Sequence, residues 1–422
     1  MMGDTKLRES RSRANKTLVG CILVIAMELG TLTTLSNYIG GLCEKFGASV
    51  TQVVLIFSIG SMVSLICNLI STVAIVKVPA KLLVLIGSIG YILFFVAAVL
   101  GNSVTVLYAG AACFGVGQTF ACFTALQPII TWWHVDNVGK KISFLSIAYC
   151  LAGIGFNLVI PRAINAFGFY NTFIAHGVIS GAVMIFSTLF LISNRPESYG
   201  LKPHGYKGDV GGTKEYTAEG MTVLQCLKTV TFWGIILACV CCGIGATGYV
   251  NNASLIYQSM GMDAIGAGNM MSIYSVMAIV WNFAYGAISD KLSPRTSNLA
   301  FCAFTAAVFL VSSFLTGTAG CVLIAITFGA ATFNGMLAAV TFPPLYGTRA
   351  VGTLIAIGMV ATAASSALAP ILSSAMYEKT GDFSSFLLLG GILFAVALVM
   401  IAVGTSRSAT ARIKAISEQP SK

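Results

Sequence analysis

The chain has 422 residues, 57% of them apolar and only 9% charged. Soluble proteins carry about 25% charged residues, so this composition argues against a disordered chain, a secreted disulfide scaffold or an ordinary cytosolic enzyme. The net charge of +10 does not point to nucleic acid either, because the 24 Lys and Arg residues fall outside the apolar runs, in short loops and at the two ends.

About 20 apolar residues cross a bilayer as a helix, since inside lipid each backbone polar group must be satisfied within its own segment. Twelve such runs are predicted, starting near Leu18, Thr51, Leu82, Val104, Ile142, Tyr170, Thr231, Asn269, Asn298, Cys321, Val351 and Phe383. The first, Leu18 to Tyr38, has full spanning length and no small-residue cleavage site after it, which argues against a removed signal. With the N-terminus inside, 21 of the 24 basic residues fall on the inner segments, against Lys45, Arg162 and Lys379 outside. The positive-inside bias therefore predicts a multi-pass protein of the cell (inner) membrane with both ends cytoplasmic. The expected divisions are a tail 1–17, a six-helix bundle 18–192, a cytoplasmic linker 193–230, a second bundle 231–404 and a tail 405–422. Within the linker, Met221–Thr229 reads as a short amphipathic helix. The twelve cysteines form no CxxC pair and sit mostly in apolar runs, as small hydrophobes rather than metal ligands.

The chain repeats at an offset of about 214 residues: Asn37-Tyr38 falls on Asn251-Asn252, Gly47 on Gly261 and Lys77 on Lys291. With one residue of drift, Pro128 falls on Pro343. Such a repeat predicts an all-α membrane fold of two pseudo-symmetric six-helix bundles, with a substrate site near the midplane.

Between the eighth and ninth runs, Gly286-Ala287-Ile288-Ser289-Asp290-Lys291-Leu292-Ser293-Pro294-Arg295 resembles the GxxxDRxGRR signature of the major facilitator superfamily. Ser293 and Pro294 replace its later glycine and a basic residue; in the first-half copy Thr72 and Val76 replace the glycine and aspartate. Three further stretches are similar to oxalate:formate antiporter-like and monocarboxylate-type carriers: Trp132 to Lys140, Phe342 to Gly347 and Arg195 to Pro203. The resemblance implies a cytoplasmic gate built from Gly286, Asp290, Lys291 and Arg295, with Asp136 from the stretch after the fourth helix. Gly286 is expected to allow close helix approach. It also implies that the two basic positions that neutralise a dicarboxylate correspond here to Asn282 and Gly358, while two cage aromatics are kept as Phe123 and Tyr149. An uncompensated dianion in a low-dielectric cavity is very costly, which argues against oxalate.

Glu28 is the one acidic side chain deep in a run, about 15 Å from either end at 1.5 Å rise per residue. Thr31, Thr34 and Tyr38 fall on roughly the same side of that helix. Intramembrane carboxylates mark coupling or substrate pathways, and desolvation disfavours the charged form, so Glu28 is the expected proton-coupling group. Thr31, Thr34, Tyr38, Gln118, Phe123, Tyr149, Asn251, Asn252, Tyr274, Asn282 and Asn334 are the expected substrate-cavity residues; buried amides of this kind also bridge helices. His176 reads as interfacial. The glycines of Gly110–Gly117 read as packing positions, with no preceding strand to make a nucleotide loop. The sequence thus predicts a monomeric secondary carrier of a small organic solute, monocarboxylate-like or amphipathic, that moves it by alternating access with protons as coupling ion. It needs no cofactor and is not an enzyme. Alternatives are a drug or metabolite exporter, an organic-anion exchanger and, from another class, a non-transporting membrane sensor.

Overall fold

A computed structural model of the protein describes residues 2–134, 136, 138–205, 220–347 and 349–417. For 2–5, 72, 73, 75, 76, 139, 290, 351, 352, 407 and 414–417 it describes the backbone alone. The middle of the linker, with Val135 and Asn137 of the motif after the fourth helix, lies outside the described residues.

Twelve helices are long and apolar enough to cross a membrane. They are α1 (Lys6–Phe46), α2 (Val50–Ser71), α3 (Ala80–Leu100), α4 (Val104–Trp133), α5 (Lys140–Phe167) and α6 (Phe169–Leu191), then α7 (Val230–Ser259), α8 (Ala264–Ser289), α9 (Pro294–Ser312), α10 (Gly317–Tyr346), α11 (Thr353–Thr380) and α12 (Ser384–Gly404). The helices outrun the apolar stretches that announce them. Lys45, Arg162 and Lys379, expected in outer loops, lie within α1, α5 and α11. The basic tail expected over 1–17 is helical from Met2 and runs straight into α1. Its Lys-Leu-Arg-Glu-Ser-Arg run lacks glycine and proline, and an Arg13–Glu9 pair at 3.0 Å spans one turn.

The chain divides into two compact units, Met1–Val210 and Gly211–Lys422. The linker is shared between them. Residues 193–205 dock on the first unit, where Trp133 donates from Nε1 to the Asn194 carbonyl and Ser10 donates to the Lys202 carbonyl. Residues 220–229 dock on the second, where the Met221 amide donates to the Tyr346 carbonyl and Thr229 bonds the Tyr346 hydroxyl at 2.7 Å. Within that stretch a one-turn helix, Val223–Leu227, starts at a Thr222–Gln225 capping box.

The repeat is visible in how the corresponding helices start and stop. Gly47 and Gly261 both take positive φ, at 58° and 97°. Ser49 then caps α2 through the Gln52 amide, and Asp263, again 214 residues on, caps α8 through the Gly266 amide. Helices α1, α4 and α10 are interrupted: α1 by a 3-10 turn at Leu35–Tyr38, α4 at Ala121-Cys122, and α10 by a 3-10 stretch at Phe328–Phe333.

Glycines on α4 set the packing of the first unit, as the sequence predicts. A Cβ at Gly110 would lie 2.6 Å from the Ala97 Cβ, and one at Gly115 would lie 2.3 Å from the Gly60 carbonyl oxygen. Backbone cannot yield as a flexible side chain does, so α2 and α3 approach α4 at distances that only glycine permits. Gly115→Ala should destabilise the protein by about 1–3 kcal/mol, measured by thermal unfolding in detergent. Gly155→Ala, whose new Cβ would meet nothing within 4 Å among the described residues, should not destabilise the protein and should gain up to about 1 kcal/mol, the preference of a helix interior for Ala over Gly.

Candidate transport site

The deepest polar feature of the first unit is Glu28. It is fully buried, and neither carboxylate oxygen has a hydrogen-bond partner among the described residues. Gly117 on α4 faces the carboxyl group closely. A Cβ there would sit 3.2 and 3.3 Å from the two Glu28 oxygens and 3.1 Å from the Gly87 carbonyl of α3. Tyr91 of α3 and Cys122 of α4 are within electrostatic reach of the carboxyl group.

One turn along α1, Thr31 shares a 2.7 Å hydrogen bond with the Tyr91 hydroxyl and a 3.1 Å bond with His176 Nε2. Tyr38 bonds the other ring nitrogen, Nδ1, at 2.9 Å. Phe156, Phe95 and Tyr38 enclose the imidazole. These contacts correct two expectations. His176 is not interfacial: it is buried inside the bundle, where the 3-10 turn of α1 brings Tyr38 onto it. Thr31 and Tyr38 do not offer their polar atoms to a solute, because Tyr91 and His176 take them. Thr34 is likewise buried and accepts from Asn37, which also donates to Asn157 at 2.9 Å and so ties α1 to α5. Tyr91, which sequence reasoning missed, is with Ser88 one of two hydroxyls in an otherwise apolar run with glycines at 87 and 90.

The expected aromatics of α4 and α5 do meet. Phe123 and Tyr149, both half-buried, lie edge to face with ring centroids 6.0 Å apart. Gln118, also half-buried, lies near Gly60. In the second unit, Asn252 donates to Ser373 of α11 at 2.7 Å, which makes it a helix bridge rather than a cavity residue. Asn251 and Asn334 are buried, and the Asn334 Oδ1 has no partner among the described residues. Tyr274 packs against Tyr249 at 5.2 Å, next to a buried 2.6 Å Tyr249–Tyr257 hydroxyl pair. Asn282 is half-buried on α8. A Cβ on Gly358 would lie 2.6 Å from that of Ala338, so this position of α11 packs against α10.

At the gate positions, Lys291, Arg295 and Asp136 are exposed, and the Arg295 guanidinium reaches the Ala402 carbonyl at 3.5 Å. The Asp290 side chain lies outside the described residues. Gly286 does not serve close helix approach: a Cβ there would meet nothing within 4 Å among the described residues. Among the described residues no group of three or more His, Cys, Asp or Glu could hold a metal ion.

Beside Asp136, His134 joins three segments of the first unit. Its Nδ1 accepts from the Lys141 ammonium at 2.8 Å, which leaves Nε2–H to donate to the Ala14 carbonyl of the N-terminal helix at 3.2 Å. Burial, then the Lys141 charge, push the imidazole pKa down to about 4. A histidine in water ionises near 6.5, so the undocked state takes up a proton first as the pH falls. Docking of the N-terminal helix should therefore be strongest above about pH 6.5 and weaken progressively toward pH 4. The mobility of a spin label at exposed Leu7 should rise over that window in the parent and stay flat in His134→Asn; equal pH responses would contradict the assignment.

Residues 18–348 match the Major Facilitator Superfamily. The uncharacterized MFS-type transporter YhjX of Escherichia coli (strain K12) is 21% identical over 279 residues, a match covering 66% of this chain and 66%, just under two thirds, of that protein. Among solved structures, the nucleoside transporter NupG aligns with a TM-score of 0.73 at 14% identity, covering 94% of this chain and all of that one. A bacterial homolog of the human lysosomal transporter Spinster, inward-facing and unoccupied, aligns with a TM-score of 0.67 at 14% identity, over 97% and 99% of the two chains. With twelve membrane-length helices and a family match across most of its length, the chain belongs to the Major Facilitator Superfamily and is a multi-pass membrane transporter.

Proposed function

We propose that this transporter is a proton-coupled secondary carrier of a small organic solute, monocarboxylate-like or amphipathic, and that it works by alternating access. The observation that carries the reading is Glu28: a fully buried carboxyl group with neither oxygen bonded among the described residues. A buried polar group left unpaired costs about 1–3 kcal/mol, and more when charged, so a retained one is a functional group by default. Such a group can exist neutral in a dry state and charged in a wet one, which is what coupling to a proton gradient requires.

The solute class follows from what the chain lacks at the positions that resemblance assigns to cations. Asn282 is an amide, and Gly358 has no side chain and packs on Ala338. With nothing there to neutralise a dianion, a singly charged or neutral solute is the better match. The half-buried Gln118, Phe123, Tyr149, Tyr274 and Asn282 are the proposed contacts, and Asp290, Lys291, Arg295 and Asp136 the proposed cytoplasmic gate. Both ends are proposed to be cytoplasmic in the cell membrane, from the charge bias, with the monomer as the working unit. From the oxalate:formate-type resemblance only these aromatics, the two cation positions and Asp136 are carried forward.

In proteoliposomes, with the organic acid, amino acid or nucleoside that gives the largest thermal shift as substrate, the parent should concentrate solute up to about tenfold per unit of pH gradient. Glu28→Gln should abolish that accumulation and spare exchange. A mutant that still concentrates solute like the parent would make the protein a uniporter or an anion exchanger.

A further inference from the structure

Beside Glu28 runs a hydrogen-bonded chain of the first unit that stops at Tyr91, short of the carboxyl group. Tyr38, the two ring nitrogens of His176, Thr31 and Tyr91 follow one another at 2.9, 3.1 and 2.7 Å. The Glu28 side chain lies one turn from Thr31 on α1 and within electrostatic reach of Tyr91. Every member of this chain is both donor and acceptor, and all are buried. Around His176 the titratable neighbours are Tyr38 from α1 and Tyr91 from α3, with Glu28 beyond; α5 contributes the Phe156 ring. A crevice of about 410 Å³ between α5 and α6 opens beside the histidine. Thr172 and Ser180 line it one turn to either side of His176. The rest of its wall is apolar, with Phe156, Val159, Ile160 and Ile179 among its residues.

We propose that Tyr38, His176, Thr31 and Tyr91 form a proton relay that loads and unloads Glu28 from inside the first bundle. The proposal rests on Glu28 being the coupling group. A proton arriving at the Tyr38 oxygen sends the proton already there to His176 Nδ1. The imidazolium releases its Nε2 proton to the Thr31 oxygen, and the Thr31 hydroxyl passes its own to the Tyr91 oxygen. The Tyr91 proton completes the transfer to the Glu28 carboxylate, through a rotation of the tyrosine or one bridging water. One proton enters, one is gained by Glu28, and each relay group ends with as many protons as it began with. Reversal of the hydroxyls and of the imidazole tautomer resets the chain. The 3-10 turn at Leu35–Tyr38 supplies a switch, because a change in that turn would lift Tyr38 from His176 and open the circuit.

The relay can be timed without a transported solute. After a pH jump on the full-length protein in lipid, infrared difference spectroscopy follows the carbonyl band of protonated Glu28, identified by its loss in Glu28→Gln. Tyr38→Phe and Thr31→Val, each close in shape to the parent, should slow the appearance of the band at least about tenfold while its final amplitude is unchanged. Either variant alone decides the matter if the other does not fold. Bands that rise at the parental rate in these variants would overturn the relay and leave Glu28 in place. A carbonyl band that persists in Glu28→Gln would instead overturn the coupling assignment itself.

Discussion

One unpaired carboxyl group inside a helix bundle organises the first half of this protein. Glu28 has no cation and no hydrogen-bond donor at its oxygens among the described residues, so its neighbours accommodate it by space rather than by charge. Gly117 withholds a side chain where the two carboxylate oxygens and the Gly87 carbonyl converge. The polar contacts of Thr31, Tyr91 and His176 then extend from that point along the bundle interior, where no bulk water competes with them.

The two units treat polarity differently. In the first, Tyr38, His176, Thr31 and Tyr91 join α1, α3 and α6 into one connected path, beside separate buried bridges such as Ser64–Thr119 and Ser88–Thr188. In the second, the buried polar atoms occur as separate bridges: Asn252 to Ser373, Asn298 to Thr341 and to the Tyr285 hydroxyl, and Tyr249 to Tyr257. Aromatic packing fills the space between them, with Phe309 stacked on Phe328 at 4.0 Å. The repeat is kept in the helix caps and positive-φ glycines, at element boundaries, whereas the interiors of the two halves differ.

The twelve spans are legible in the sequence because lipid imposes one rule on every segment, and the 214-residue offset is legible because Gly47, Gly261 and their following caps must adopt special backbone geometry in both halves. Glu28 stands out for the same reason: a carboxylate at the centre of an apolar run has no structural excuse. Its partners were harder to read. Helical periodicity says that Thr31 and Tyr38 share a face with Glu28 but not which helix that face meets. His176 looked interfacial from its distance to the end of α6, and only the 3-10 turn in α1 reveals why Tyr38 reaches it. Gly286 was misread because a signature glycine was given a packing role that its open surroundings do not support.

If Glu28 couples a proton to the solute, each ligand must alter the affinity of the other by the same factor. The direct measurement is solute affinity as a function of pH, by calorimetry on purified parent and Glu28→Gln. The account predicts an affinity that changes with pH in the parent, by up to tenfold per pH unit where one proton is linked, and a flat profile in the mutant. The same pH slope in both proteins would contradict it.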